Sequence, residues 1–307
     1  MLNPRIVFMG TPDFAVASLD ALVTAGFNIV GVVTAPDKPA GRGMKMNESA
    51  VKKYAVAHDL LLLQPEKLKD PEFFASLKHL QADIQVVVAF RMLPEIIWNM
   101  PPMGTINVHG SLLPDYRGAA PINRAVMNGE TMTGVTTFKL KHEIDTGDIL
   151  LQATMPIGEN ETATEVHDRM KIIGANLLVQ TIKELVDGTI KEQPQVLSTH
   201  PKHAPKLFTK DCEIDWNNSV DSIHNQIRGL SVFPGAITKL DGKILKIYHS
   251  EKETTAPKGS PGEVVSDGKN YLKFTCTDGY ILVKHLQLEG KKSMQVQDFL
   301  RGYRIAD

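Results

Sequence analysis

The sequence predicts an α/β protein with a Rossmann-like, mostly parallel sheet in an N-terminal domain and a small OB-like β-barrel in a C-terminal one. Three observations predict it. Short apolar runs alternate with amphipathic stretches over the first 190 residues, a polar Pro-bearing segment then breaks the pattern, and the remainder falls into short strands divided by Asp-Gly turns. Strand–helix–strand alternation marks βαβ units and a parallel sheet, whereas closely spaced strands with Gly turns mark an antiparallel barrel. A length of 307 residues suits two domains.

Taken in order, Ile6–Met9, Ile29–Val33, Leu60–Leu63 and Ile84–Ala89 read as buried strands. Their near-continuous apolar character fits a sheet covered on both faces. Amphipathic stretches near 13–25, 47–58 and 70–80 supply the helices between them. Gly10-Thr11-Pro12-Asp13 stands where a dinucleotide fold carries GxGxxG. With one glycine and a proline that lacks an N–H, the fingerprint is missing, which disfavours an NAD-type dehydrogenase. A tight βα turn with Pro12 in the first helical turn is the expectation. Val135–Leu140 and Ile149–Met155 are strand-like. Thr162 and Glu165 have capping-box spacing ahead of Val166, Met170, Ile173 and Leu177, and Gly188 is a helix stop. The domains therefore run 1–190 and 209–307, joined by a linker at 191–208. Beyond the linker, a helix near 218–229 precedes strands at Ala236–Leu240, Ile244–His249, Gly262–Val265, Tyr271–Thr275 and Tyr280–Leu288.

Composition bounds the function. Apolar residues make up 42% and charged residues 22%, enough for a core without staples. The 34 Lys/Arg against 35 Asp/Glu leave a net charge of −1, which disfavours a protein that coats DNA by bulk electrostatics. The charge is unevenly spread: residues 191–307 hold 17 basic and 14 acidic side chains (+3), and residues 1–190 hold 17 and 21 (−4). The smaller domain is thus the better candidate for a polyanion. Cys212 and Cys276 form neither a disulfide framework nor a metal spacing, and no secretory segment precedes the first strand, so a cytoplasmic protein is expected. The uncharged run Ala21–Pro36 is interrupted by Gly26 and Asn28, and no membrane span is expected.

The densest chemical signal is Ile106-Asn107-Val108-His109-Gly110-Ser111-Leu112-Leu113-Pro114. On a strand, Asn107 and His109 share a face, because side chains alternate with period two. Gly110 and Pro114 bound a loop at the strand's carboxyl end, where open α/β sheets place ligands. Such a pair suits acyl transfer, the amide donating to a developing oxyanion and the imidazole moving a proton. The plainer alternative is a strand-end histidine bound to a loop. Glu143-Ile144-Asp145-Thr146-Gly147-Asp148 adds a carboxylate that could orient the imidazole, with Asp145 and Asp148 both eligible, or is an ordinary Asp-rich turn. The stretch Ala35–Asn47 carries Lys38, Arg42 and Lys45 in a glycine-bearing loop suited to folding onto a partner. His200 and His203 flank Pro201 without a nearby Cys or carboxylate cluster, and no metal site is expected.

The string Asn107 to Pro114, then Tyr116-Arg117-Gly118-Ala119-Ala120-Pro121 and Asp145-Thr146-Gly147-Asp148, resembles the 10-formyltetrahydrofolate-dependent formyltransferase family. Gly10-Thr11-Pro12-Asp13-Phe14 and Asp37-Lys38-Pro39-Ala40-Gly41-Arg42-Gly43 narrow the resemblance to members acting on methionyl initiator tRNA, and it extends through the barrel-like tail. It implies a catalytic set of Asn107, His109 and Asp145, and a folate site bordered by Ser111, Leu112, Leu113 and Pro114. It further implies tRNA contact by Arg42 and Lys45, a C-terminal tRNA-binding barrel, 10-formyltetrahydrofolate as formyl donor, and no metal. One departure is Ala89-Phe90-Arg91-Met92-Leu93-Pro94, where many members carry Tyr-Gly; the segment is similar to that of a related transformylase acting on glycinamide ribonucleotide, which implies that Arg91 to Leu93 line the folate pocket. The alternative is a folate-dependent formyltransferase or hydrolase of a small molecule such as an amino sugar. The basic loop and the tail argue against it.

Overall fold

The computed structural model describes residues 3–40, 45–197 and 199–305, with Ala40 and Lys45 described in backbone only. In chain order the elements are β1 (Arg5–Gly10), α1 (Asp13–Thr24), β2 (Asn28–Val33), β3 (Lys38–Ala40), β4 (Lys45–Asn47), α2 (Ala50–Ala57), β5 (Leu62–Leu63), α3 (Pro71–His79), β6 (Ile84–Val88), α4 (Glu95–Trp98) and β7 (Thr105–His109). There follow β8 (Arg117–Gly118), α5 (Pro121–Met127), β9 (Met132–Lys139), β10 (Ile149–Pro156), α6 (Ala163–Val186), β11 (His203–Ala204), α7 (Thr209–Cys212) and α8 (Val220–Leu230). The chain closes with β12 (Ala236–Leu240), β13 (Lys243–Glu253), β14 (Val264–Ser266), β15 (Leu272–Thr275), β16 (Tyr280–Leu288), β17 (Met294–Gln295) and α9 (Val296–Gly302).

Two compact units divide the chain. The first, Met1–Arg117, Gly134–Met155 and His167–Lys202, holds a seven-stranded sheet in the order β10-β9-β7-β6-β1-β2-β5. Strands β7, β6, β1, β2 and β5 run parallel, and β9 pairs antiparallel with β7. This is the predicted mostly parallel sheet. From Ile6 onward β1 is wholly buried, as a strand covered on both faces must be. One face packs Val7, Met9, Val33 and Val87 against Phe73, Leu77 and Ile97. Gly10 ends β1 because a β-carbon there would lie 2.6 Å from that of Ala15, so the glycine lets α1 begin close against the strand. Pro12 is the N-cap of α1, one residue before the predicted first turn. Thr162 and Glu165 form the predicted reciprocal cap of α6: the Glu165 carboxylate accepts from Thr162 N at 2.8 Å, and Thr162 Oγ1 accepts from Glu165 N at 3.3 Å.

The stretch 35–47, read as an irregular loop, carries a β3–β4 hairpin pairing Lys38 with Asn47 and Pro39 with Met46. At its base the Asp37 carboxylate accepts from Lys52 Nζ and from Gln64 Nε2, and that bonding holds Asp37 below the usual carboxylate range. Arg42 lies outside the described residues, as does the side chain of Lys45.

The second unit comprises Gly118–Thr133, Pro156–Val166 and His203–Asp307. Its sheet is an antiparallel half-barrel in the order β12-β13-β16-β15-β14, with β17 pairing β16. Ile223 and Ile227 of α8 and Phe299 and Leu300 of α9 join its core, so the C-terminal segment Val296–Gly302 is a packed helix. Segments 118–133 and 156–166 precede residue 190 in sequence yet belong to this unit because they bond to α8. Asn123 Nδ2 donates to Gly229 O at 2.8 Å, and the buried Arg228 guanidinium donates to the carbonyls of Gly158 and Glu161 at 3.2 and 2.9 Å.

Beside Arg228, His224 is 2% exposed. Its Nε2–H donates to Asn160 Oδ1, and Ser250 Oγ donates to its Nδ1, each at 3.0 Å. Burial first, and the Arg228 charge second, push His224 down to about 4. An unfolded histidine titrates near ~6.5, so this contribution is full above that pH and is lost as pH falls toward the folded value. Between pH ~7.5 and ~5 the second unit should lose about 2 kcal/mol through this group. Urea midpoints of the wild type and His224→Gln across that range check it: the wild type should fall more steeply, and parallel curves would contradict the assignment.

Candidate active site

The carboxyl edge of the parallel sheet gathers the polar chemistry. Asn107 and His109 project from one face of β7, two residues apart. Asn107 lies opposite Val87 on β6 and Phe138 on β9, and His109 lies opposite Thr136. The Asn107 carboxamide is half-buried and makes no hydrogen bond to another group among the described residues.

His109 is buried, with the Phe138 ring edge-on at 6.4 Å between centroids. Its Nε2 is 2.9 Å from the Tyr116 carbonyl oxygen. A carbonyl only accepts, so Nε2 carries a hydrogen in either charge state, and the neutral ring has its lone pair on Nδ1. Nδ1 is 3.8 Å from Asp145 Oδ2, within ion-pairing range but beyond a direct hydrogen bond. Of the two eligible carboxylates, Asp145 faces the imidazole, while Asp148 pairs with Lys141 at 2.8 Å.

Close backbone approach shapes the Asp145 loop. Asp145 has φ 55°, the left-handed region that Asp tolerates better than most residues. A β-carbon on Gly147 would sit 1.5 Å from the Lys139 carbonyl oxygen, so only glycine lets the loop pass there. Thr146 Oγ1 donates to Glu143 O at 3.0 Å.

Residues 111–114 are fixed from beneath. Ser111 is fully buried and donates to Asp115 O at 2.7 Å; Leu113 is buried, whereas Leu112 and Pro114 are half-buried. Thr136 is the hub. Its hydroxyl donates to Ser111 O at 2.7 Å and accepts from Leu113 N at 3.0 Å and Gln152 Nε2 at 2.9 Å, which fills its capacity. Sequence reasoning missed Thr136; its position opposite His109 follows only once the β7–β9 register is known. Arg91 turns from the edge to donate to the carbonyls of Pro65 and Glu66, and its guanidinium lies over Phe90 at 5.5 Å. Gln195, in the segment read as a plain linker, bonds to the Asp145 loop. Among the described residues, no group of three or more His, Cys, Asp or Glu converges as metal ligands, and no helix is long and apolar enough to cross a membrane.

An open sheet with an amide, an imidazole and a carboxylate at its carboxyl edge has the form of an α/β enzyme site. The formyl transferase family matches residues 4–182 and its C-terminal domain matches 206–304, and the chain belongs to that family. A relative from Bacteroides fragilis named methionyl-tRNA formyltransferase is 50% identical, the alignment covering 99% of this chain and 96% of that protein. Among solved structures, the chain resembles an N-formyltransferase from Helicobacter canadensis in complex with folinic acid and dTDP-3-aminofucose, with TM-score 0.68, 20% identity, 91% of this chain and 98% of that one. It also resembles HypX from Aquifex aeolicus in complex with tetrahydrofolic acid, with TM-score 0.67 and 18% identity. There the match covers 99% of this chain but 49% of the longer HypX chain. These two structures share the fold with it.

Thr136→Val keeps the side-chain shape and strips the hub of its three bonds. It should lower stability by about 1–3 kcal/mol, measured by denaturant unfolding. An unchanged midpoint would mean that the 111–114 loop is held otherwise.

Proposed function

We propose that this protein transfers a formyl group from 10-formyltetrahydrofolate to the α-amine of methionyl initiator tRNA, in the cytoplasm where translation begins. The observation that carries this reading is the 50% identity across nearly the whole chain with a relative named methionyl-tRNA formyltransferase. The Asn107–His109–Asp145 geometry supports it.

The acceptor α-amine has an ordinary pKa of about 7.7–8.0, so an appreciable fraction is already nucleophilic near neutrality. The protein's tasks are to orient it, stabilise the oxyanion and move a proton. The amine nitrogen attacks the formyl carbon, and the carbonyl oxygen takes up negative charge. The Asn107 carboxamide N–H donates to that oxygen. His109 accepts the proton lost by the attacking nitrogen at Nδ1, while Nε2 stays bound to Tyr116 O and the Asp145 carboxylate offsets the ring's positive charge. As the bond from carbon to N10 breaks, the proton passes to N10. The net change is one N–C bond formed, one broken and one proton moved.

Ser111, Leu112, Leu113 and Pro114 border the folate. The Ser111 hydroxyl and Leu113 side chain are turned inward, so the loop backbone and half-buried Leu112 and Pro114 make that border. Arg42 and Lys45 contact the tRNA, and the domain at 209–307 serves as a further tRNA-binding surface.

Formyl transfer to charged initiator tRNA, with an amino sugar nucleotide as the competing acceptor, tests the reading. tRNA formylation is expected, and transfer to the sugar alone would overturn it. Asn107→Ala should lower turnover about 10²–10³-fold and His109→Ala about 10²–10⁴-fold, both without unfolding. Arg42→Ala should raise KM for tRNA and spare KM for folate; unchanged values would remove it from the interface.

A further inference from the structure

Gln195 sits in an exposed segment, with Val196 83% and Leu197 53% exposed, yet its own side chain is half-buried and fully used. Arg117 can only donate, so the Gln195 oxygen must face it, and Oε1 accepts from Arg117 Nε at 3.0 Å and Nη2 at 2.5 Å. That choice turns both amide hydrogens the other way. Nε2 donates to Asp145 O at 2.9 Å and to Gly147 O at 2.7 Å. The backbone around Gln195 is held as well, because Gln193 exchanges two backbone hydrogen bonds with Ile149 at 2.8 and 2.9 Å. One amide thus clamps two carbonyls of the loop that carries Asp145, and Arg117 sets which end of that amide points at them.

We infer that Gln195 is a positioning residue for the formyl-transfer reaction, holding the Asp145 carboxylate against His109 through the 145–147 backbone, with Arg117 orienting its amide. This rests on the proposed role of Asp145. The Asp145 backbone is left-handed, and Gly147 is pressed against Lys139 O, so the loop has one tight path past β9. Release of the two carbonyls frees the Asp145 peptide to rotate, and the carboxylate swings away from Nδ1. The clamp bonds to Arg117, Asp145 and Gly147, none of which is proposed to bind either substrate, so its loss is expected in turnover.

The discriminating variant is Gln195→Glu. It keeps an acceptor for Arg117 but faces the two carbonyls with a carboxylate oxygen that cannot donate. In the full-length enzyme, kcat should fall about 10–100-fold, with KM for tRNA and folate within about twofold of wild type and the thermal midpoint nearly unchanged. Gln195→Leu should lower kcat alike, with some added loss of thermal stability because the Arg117 guanidinium loses its acceptor. On an Asp145→Asn background the same substitution should cost almost nothing further, because the group it positions is already gone. Wild-type kcat in Gln195→Glu would overturn the inference, as would a full additional loss on the Asp145→Asn background. Wild-type turnover in Asp145→Asn itself would instead overturn the catalytic reading of Asp145, a failure visible separately.

Discussion

The hydrogen bond from His109 Nε2 to the Tyr116 carbonyl is the contact on which the rest of the site depends. It commits Nε2 to the protein and leaves Nδ1, facing Asp145, as the nitrogen to which the proposed reaction assigns the moving proton. The backbone on both sides is bent to make this possible. Tyr116 has φ 60° and Asp145 has φ 55°, so the residue that accepts from Nε2 and the one whose carboxylate faces Nδ1 are both left-handed. Such conformations persist only where surrounding contacts over-determine them. Tyr116 is held by its N–H bonding to Lys202 O at 2.7 Å, and Asp145 by the Gln195 amide.

Around that axis, the sheet does what an open α/β sheet does at its carboxyl edge: it holds side chains rigidly on strands and lets loops complete the site. Thr136 beneath the 111–114 loop and Gly147 beside Lys139 have different chemistry but one consequence, a loop with little freedom. Gly134 adds to it: a β-carbon there would meet Ala153 O at 2.2 Å and Leu112 Cδ2 at 2.5 Å, so Leu112 packs into space that only glycine leaves. The half-buried Asn107 carboxamide is the exception, presented without a partner among the described residues.

Much of this is legible in the sequence, for reasons of periodicity. The period of two placed Asn107 and His109 on one face, and the capping spacing placed the start of α6. The parallel sheet and the antiparallel half-barrel follow from the rhythm of strands and turns. What was illegible is long-range. No local pattern separates Asp145 from Asp148; only the fold of the loop turns one to His109 and the other to Lys141. Segment 191–208 looks like a linker because it lacks periodicity, and its polar residues hid a glutamine that reaches back 50 positions to the Asp145 loop. Residues 35–47 conceal a hairpin because three-residue strands leave too short a trace. The net charge of −1 argued too coarsely against a nucleic-acid partner, since it averages a −4 segment and a +3 segment.

Whether His109 holds its hydrogen on Nε2 is read most directly by ¹⁵N NMR of histidine-labelled enzyme. The His109 resonances are assigned by their loss in His109→Ala. Neutral His109 is expected as the Nε2–H tautomer, with the unprotonated-type nitrogen resonance at Nδ1. A neutral ring carrying its hydrogen on Nδ1 would contradict it.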